Sequence, residues 1–345
     1  MNISNPNVRK NASQMEDARQ IVKDLFEPKS NIFWTDLLLS ATFGWGAFIL
    51  ACLATPFSWQ MWFSIIVAAI ALYRSLNFIH ELTHLKANAL PGFLGAWNLL
   101  AGIPLLLPSS TYTGVHTDHH RLSSYGTAQD PEYMPFGGKK IAIVFFVAHS
   151  LLLPVLLAIR FLLLSPLGLL FPPLHRFLET HASSLSMNLA YQRRVSSSER
   201  STMIILELAI LTMWSVPIAL ATLDLLPWRI FGIWYIVMAI IMVTNSLRTL
   251  AAHRYRSDGK PMGLENQLLD SVDVPGAFWT AIWAPVGLRY HALHHYFPSM
   301  PYHNLSIAHQ RLIKILPSDA PYCRSISLSL WDSLQNVWNK SNLIK

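Results

Sequence analysis

Residues 34–84 read WTDLLLSATFGWGAFILACLATPFSWQMWFSIIVAAIALYRSLNFIHELTH, and this stretch decides the fold. Two apolar runs, residues 34–54 and 59–78, are each close to the roughly 20 residues that a helix needs to cross a bilayer. Only residues 55–58 separate them. The stretch therefore predicts a transmembrane hairpin of two helices, whose outer ends lie on the same side of the membrane.

A second pair of apolar runs, residues 203–223 and 230–247, is joined by a short turn and predicts a second hairpin. The whole composition agrees, because 52% of the 345 residues are hydrophobic and only 13% are charged, against about a quarter charged in soluble domains. Two cysteines exclude a disulfide framework and a thiolate metal site. We expect an all-α, multi-pass membrane protein with about four spans.

Two further apolar stretches are interrupted by glycine, proline or charged residues. Residues 91–107 are short, and we interpret them as an interfacial segment. Residues 141–171 contain Arg160 and two prolines, and they lie between histidine clusters described below. If those clusters form one site, the chain between them crosses the membrane an even number of times. We therefore predict that residues 141–171 are a re-entrant or interfacial helical pair.

The charge distribution predicts which side of the membrane carries the loops. Of the 26 lysines and arginines, only Arg229 falls in one of the two proposed outer turns. The positive-inside rule then places the histidine side in the cytoplasm, at the inner membrane if the source is bacterial. The net charge of +7 is explained by these loops, and no basic stretch carries a nucleic-acid recognition motif. Nucleic acid is therefore excluded as a partner.

The sequence divides into three regions. Residues 1–33 form a cytoplasmic arm that contains no cleavable signal peptide. Its apolar residues recur at helical spacing, which fits a helix on the membrane surface or one packed on the protein: Met15, Ala18, Val22, Leu25 and Phe26. Residues 34–310 form the membrane domain, and residues 311–345 form a cytoplasmic or interfacial tail.

Eight of the 14 histidines fall into three short boxes, HELTH, HTDHH and HALHH. On a helix, positions i, i+3 and i+4 share one face, so each box directs two or three imidazoles the same way. Eight neutral imidazoles exceed what one cation binds, which predicts two metal ions, and imidazole suits zinc, copper, iron and nickel alike. The box histidines are His80, His84, His116, His119, His120, His291, His294 and His295.

Two other functions remain open from these residues. HELTH matches the HExxH of zinc proteases, in which Glu81 would be the general base, although a protease leaves the other two boxes unexplained. We instead expect Glu81 to orient an imidazole N–H. The second alternative is a membrane protein that binds metal without catalysis, which would place metal-binding charges within a span.

With its boxes HxxxH, HxxHH and HxxHH and two hairpins in this order, the chain resembles the membrane fatty acid desaturase superfamily over residues 34–310. The resemblance implies two non-haem irons held by the eight box histidines. His253, in LAAHRY just after the last span, corresponds to the family's ninth ligand. No catalytic residue apart from these ligands is implied. Thr249 stands where some acyl-CoA desaturases have an asparagine, so the outer sphere of one iron departs from theirs.

The resemblance also implies an activity, the dioxygen-dependent desaturation of a fatty acyl or lipid substrate. Hydroxylation and oxidative decarboxylation to a terminal alkene are alternatives on the same scaffold, because they share metal, oxidant and first step. No haem or iron–sulfur motif is present. The electrons must then come from an external donor, of ferredoxin or cytochrome type with its reductase. Membrane lipids are the remaining expected partners.

Other polar residues near the boxes have predicted supporting roles. Three aspartates are candidates to orient imidazoles, since metal-bound histidines usually donate their second N–H. Two histidines and three arginines are candidates to contact a substrate head group or a lipid phosphate. The aspartates are Asp118, Asp130 and Asp270, the histidines are His303 and His309, and the arginines are Arg254, Arg256 and Arg289.

Overall fold

The computed structural model describes residues 16–86 and 88–339, and within them the fold is helical, with isolated bridges but no strand. Met15 and residues 340–345 lie outside this part. Residues 16–21 are helical, and 3-10 turns span Lys23–Leu25 and Ser109–Thr111. The helices are α1 (Ser30–Leu53), α2 (Trp59–His84), α3 (Phe93–Gly102), α4 (Val115–His120), α5 (Lys140–His149), α6 (Leu153–Leu170), α7 (Pro172–His181), α8 (Ser197–Thr222), α9 (Arg229–Ala252), α10 (Leu264–Asp270), α11 (Thr280–Trp283), α12 (His291–Tyr296), α13 (Tyr302–Ile315), α14 (Pro321–Arg324) and α15 (Leu330–Asn339).

Both predicted hairpins are confirmed. Helices α1 and α2 pack side by side, and α8 and α9 are joined by a short turn and meet at Trp214 and Trp234, whose ring centroids are 4.9 Å apart. Each of the four helices is long and apolar enough to cross a membrane. The Ser58 side chain caps α2 by accepting from the Met61 N–H, and Ser196 with Glu199 forms a capping box at the start of α8. A Cβ at Gly44 would lie 2.7 Å from the Leu72 side chain, so this glycine allows α1 and α2 to approach closely. The chain is an integral membrane protein.

The number of candidate spans is five among the described residues, not about four, because α6 is also long enough to cross. However, the chain on either side of α5 and α6 is held together on the histidine side. The Met187 N–H donates to the Pro131 carbonyl over 3.0 Å, and Asn188 donates to the carbonyls of Ala128 and Asp130. The chain before α5 and the chain after α6 therefore lie on the same side of the membrane, as the parity argument predicted for residues 141–171.

Arg160, which interrupts the apolar character of α6, is buried and fully engaged. Its Nη2 donates to Glu207 Oε1 of α8 over 2.7 Å, and its Nε donates to the Ala182 carbonyl over 2.7 Å. The helix forms a π-type segment at Ile159–Leu164 around this side chain. A buried charge in an apolar setting needs such a partner, so the ion pair attaches α6 to α8.

Both terminal regions pack on the membrane domain where they are described. Ala18 and Val22 are fully buried in the core, and Asp24 pairs with Arg311 of α13 over 2.6 Å. The arm thus packs on the protein, which was one of the two alternatives for its helical pattern. In α15, Val337 is buried and Ser333 donates to the Ala251 carbonyl.

We predict that cysteine labelling will distinguish the two membrane sides. In a background lacking both native cysteines, Cys52 and Cys323, Thr55→Cys should react with an impermeant reagent from one side only. Leu189→Cys should react from the opposite side, because its loop is bonded to the segment that follows α4. Leu189 is 93% exposed, so a folded protein will not hide it. Labelling of Leu189→Cys from the same side as Thr55→Cys would mean that α6 crosses alone.

Candidate metal centre

Four elements bring the nine predicted histidines to one buried region. His80 and His84 occupy the last turn of α2, the second box forms α4, and the third box forms the start of α12. His253 follows α9 in an extended conformation that turns its ring back toward the other boxes. The spacing of each box places its rings on one helix face, so local sequence and tertiary contacts agree.

The histidines form two groups of four, which we call cluster 1 and cluster 2. Within each group, one ligand atom from every residue lies within 4.8 Å of the others, as a shared cation requires. His294 and His291 come from one box yet belong to different groups. Cluster 1 contains His80, His84, His116 and His294, and cluster 2 contains His119, His253, His291 and His295.

His120 belongs to neither group and lies between them. Its Nε2 is 3.0 Å from His116 Nε2 and 3.2 Å from His294 Nε2, both in cluster 1. Its ring also stacks on His295 of cluster 2, with centroids 4.3 Å apart. The structure therefore unites all nine predicted histidines but gives His120 a position shared by both clusters.

The donor set fits metal ions. Seven buried ring nitrogens of the clusters make no hydrogen bond within the described chain, and leaving such atoms unpaired is costly. Burial lowers the pKa of His116, His120, His291, His294 and His295, which favours the neutral imidazole that binds a cation. The seven nitrogens are Nδ1 and Nε2 of His80, Nε2 of His84 and His119, and Nδ1 of His291, His294 and His295.

Two carboxylates orient the second box. His119 Nδ1 lies 2.8 Å from Asp130 Oδ1, as predicted, and the buried Asp130 also accepts from the N–H groups of Gly126 and Glu132. Burial lowers the pKa of His119, but the charge and hydrogen bond of Asp130, with the charges of Glu132 and Asp270, together raise that pKa above its ordinary value. Glu132 Oε1 lies 2.7 Å from His116 Nδ1. Glu132 was missed in the sequence, although it stands two residues after Asp130.

Asp270 acts on His253 through a tyrosine. Tyr125 Oη lies 2.9 Å from His253 Nδ1 and donates to Asp270 Oδ2 over 3.1 Å, while His253 Nδ1 and Asp270 are 3.9 Å apart. These hydrogen bonds use His253 Nδ1, so His253 Nε2 remains available to cluster 2. The prediction for Asp118 is wrong, because its carboxylate faces away from the histidines, toward Arg121 and the Tyr191 hydroxyl.

Glu81 does not have the position of a protease base. Its Oε2 accepts from the Tyr302 N–H at the start of α13 over 2.7 Å, and its Oε1 is 3.7 Å from His80 Nδ1. Glu81 is 4% exposed, and its carboxylate is hydrogen-bonded to the backbone of another helix. The expected hydrogen bond from an imidazole is therefore also not formed, and the zinc-protease alternative loses its base.

The remaining predicted residues lie outside the centre. His303 accepts from the Lys29 N–H, and the His309 ring bonds the Tyr322 hydroxyl. The three arginines make hydrogen bonds outside the two clusters. Arg254 donates to the carbonyls of residues 269 and 324, Arg289 donates to that of residue 275, and the Arg256 N–H donates to Asp270.

A cavity of about 510 Å³ borders cluster 1. His80, Tyr112 and Glu132 form its wall near the metal centre, and its other walls are mostly apolar, with Trp97, Leu107, Phe145 and Ile241 among them. A volume of this size is typical of ligand pockets. The centre thus faces a space suited to an apolar chain.

Comparison with known proteins gives two matches. A family model described as "Fatty acid desaturase" matches residues 56–327, which is most of the chain. A protein of Caulobacter vibrioides named ceramide hydroxylase is 40% identical over 339 residues, covering 96% of this chain and 95% of that protein. The residues matched by the family model include all nine predicted histidines, from His80 to His295.

We predict that Asp130→Asn will weaken metal binding about 10- to 100-fold, the usual effect of losing a carboxylate that orients a ligand imidazole. The measurement is metal content per chain after a graded chelator challenge of protein folded in detergent. Asp118→Asn is the matched control, because it changes an aspartate of the same box that faces away from the rings. Equal retention of metal by the two variants would contradict the assignment of Asp130.

Proposed function

The chain belongs to the fatty acid desaturase family, and from that premise we propose that it hydroxylates the acyl chain of a ceramide-type lipid with dioxygen. The family makes it an oxidoreductase that acts on a lipid chain. The observation that carries the finer proposal is the 40% identity, over nearly the full length of both proteins, to a ceramide hydroxylase. Hydroxylation is thereby favoured over desaturation, which the sequence had placed first.

We propose that the two clusters hold two iron ions. All nine histidines are the proposed ligands, four from each cluster and His120 between them. Imidazole is a suitable ligand for iron, and the absence of cysteine from either cluster excludes a thiolate site there. When bound, the irons supply activation of dioxygen, which side chains lack.

The reaction balances with an external reductant. One oxygen atom enters a C–H bond to form C–OH, and the other is reduced to water by two electrons and two protons. The chain's own residues orient the imidazoles through Asp130, Glu132 and Tyr125. The apolar cavity excludes water and holds the acyl chain of the substrate so that one of its methylene groups approaches the metal centre.

The electron donor is proposed to dock on the histidine side, which we assign to the cytoplasm. Exposed cations occur there next to the second box and in the segment after α9. The Arg121 side chain is 63% exposed and the Lys260 side chain is 83% exposed. Such charges favour an acidic carrier of the ferredoxin or cytochrome class.

Desaturation is the second candidate, because the matching family model is described by that activity. Both reactions begin by removing hydrogen from a methylene. They differ in whether oxygen is added at that carbon or a second hydrogen leaves the neighbouring one. The position of the methylene relative to the centre decides between them.

We predict that cells producing this protein will contain ceramides that gain one oxygen atom, with the product depending on dioxygen. Lipid mass spectrometry of cells with and without the protein measures this, and a chain carrying His294→Ala is the inactive control. Ceramides or fatty acids that lose two hydrogens without gaining oxygen would support desaturation instead and overturn the hydroxylation proposal.

We further predict that His253→Gln will lose most of the iron of cluster 2 together with product formation. An amide is a poor donor for iron, although glutamine keeps the approximate size and polarity of the side chain. Iron per chain and abundance in the membrane are both measured, and abundance should stay normal. His175→Gln, which alters a histidine of α7 outside both clusters, should change neither. Full iron content in His253→Gln would remove His253 from the ligand set.

A further inference from the structure

Arg248 lies in α9, in a helix long and apolar enough to cross the membrane, and it lines the cavity that borders cluster 1. It precedes His253 by five residues, about 7 Å along a helix. A charged residue at membrane depth that faces a cavity is by default a candidate for ligand binding. Nothing in the metal centre uses this side chain.

The polar groups around Arg248 leave part of it unpaired. Its Nη2 donates to Asn245 Oδ1 over 2.9 Å, and Tyr73 Oη donates to the same oxygen over 3.4 Å. Its Nε is buried and makes no hydrogen bond to any described residue. Arg248, Asn245 and Tyr73 all line the cavity, so an acceptor held in the cavity would lie beside this guanidinium.

Three other buried or half-buried arginines differ from Arg248 in having a carboxylate partner. Arg160 pairs with Glu207, Arg74 pairs with Asp36, and the third, Arg193, pairs with Glu199. Arg248 has no carboxylate within 4.0 Å among the described residues. Glu132 lines the same cavity, but its carboxylate is engaged with His116. Burying a guanidinium without a counter-ion in an apolar cavity is costly. A hydrogen-bond acceptor on a bound ligand would reduce that cost.

We propose that Arg248, with Asn245 and Tyr73, binds the acyl carbonyl oxygen of the substrate. This inference rests on the proposed function and adds to it the part of the lipid that is recognised. Two sources share the chemistry, the amide carbonyl of a ceramide and the carboxylate of a free fatty acid. A guanidinium donates to either through charge-assisted hydrogen bonds.

The position of this subsite gives it a second role, the choice of the methylene that reacts. Tyr73 precedes His80 by seven residues on α2, about 10 Å along the helix, and Arg248 is similarly displaced from His253 on α9. Both elements are rigid helices that carry a histidine of the centre at their ends. Holding the carbonyl oxygen here fixes the distance from that oxygen to the reacting carbon.

Equilibrium binding to the purified holoenzyme without dioxygen tests the subsite, because no turnover then occurs. The probes are radiolabelled palmitoyl ceramide, palmitic acid and hexadecane, the last of which has no oxygen. We expect Arg248→Gln to weaken binding of one oxygen-bearing probe about tenfold or more and to leave hexadecane unchanged. Tyr73→Phe should act in the same direction with a smaller effect, and it provides the test should Arg248→Gln not accumulate.

The matched control is Arg229→Gln, at the opposite end of α9, which donates to the Cys52 carbonyl away from the cavity. It should bind all three probes as the unchanged protein does. Arg248→Lys keeps the charge without the fork of donors, and it should retain more affinity for palmitic acid than for ceramide if the acceptor is a carboxylate. A ceramide preference in the unchanged protein that Arg248→Gln removes would identify the amide carbonyl.

Unchanged affinity of Arg248→Gln and Tyr73→Phe for both oxygen-bearing probes would overturn the subsite, and so would an equal loss for hexadecane. This result is separable from failure of the proposed function. If cells form no hydroxylated ceramide but Arg248→Gln still loses affinity for palmitic acid, the subsite stands with a different substrate. If hydroxylated ceramide forms and binding is unaffected by these variants, the subsite alone is wrong.

Discussion

The need to bury nine imidazoles around two shared points is the constraint on which the rest of this structure depends. Each ring has two nitrogens to satisfy, and water is largely excluded from the region. Carboxylates and tyrosines take one nitrogen of several rings, as Asp130 does for His119, and turn the other toward a cluster. The same requirement determines the topology, because histidine boxes that are far apart in sequence must lie on the same side of the membrane and at the same depth. The return of α5 and α6 to their starting side follows from it.

Local patterns predicted the helices and the histidines that the fold brings together, because both depend on spacings of a few residues. Apolar length identified the hairpins, and the HxxHH spacing identified which rings share a face. Contacts across the fold were harder to predict. Glu132 and Tyr125 orient His116 and His253 through loop conformations that no periodicity reveals. Asp118 was selected for its nearness in sequence, but the helical turn of α4 directs it to the opposite face. The partner of Arg160 was also not predictable from local pattern, because Glu207 lies 47 residues further along the chain.

The proposed hydroxylation and its main alternative use the same centre, so the outcome depends on where the substrate chain lies. The apolar walls of the cavity bind a chain without selecting its register, because methylene groups are alike. A fixed polar contact is needed to select one carbon. Arg248 is a charged group within the cavity wall and on a helix that also leads directly to a proposed ligand, so binding and reaction geometry are linked through one rigid element.

The ion pair between Arg160 and Glu207 also bears on how the protein is made. The two residues are 47 positions apart, and the arginine emerges from the ribosome first. Until α8 is synthesised, the π-type segment of α6 carries a guanidinium without its counter-ion, and transfer of such a helix into lipid is unfavourable. Helix α6 is therefore expected to wait at the membrane surface during synthesis and to enter together with α8. The pairing of this single charge thus determines the order in which α6 and α8 enter the membrane.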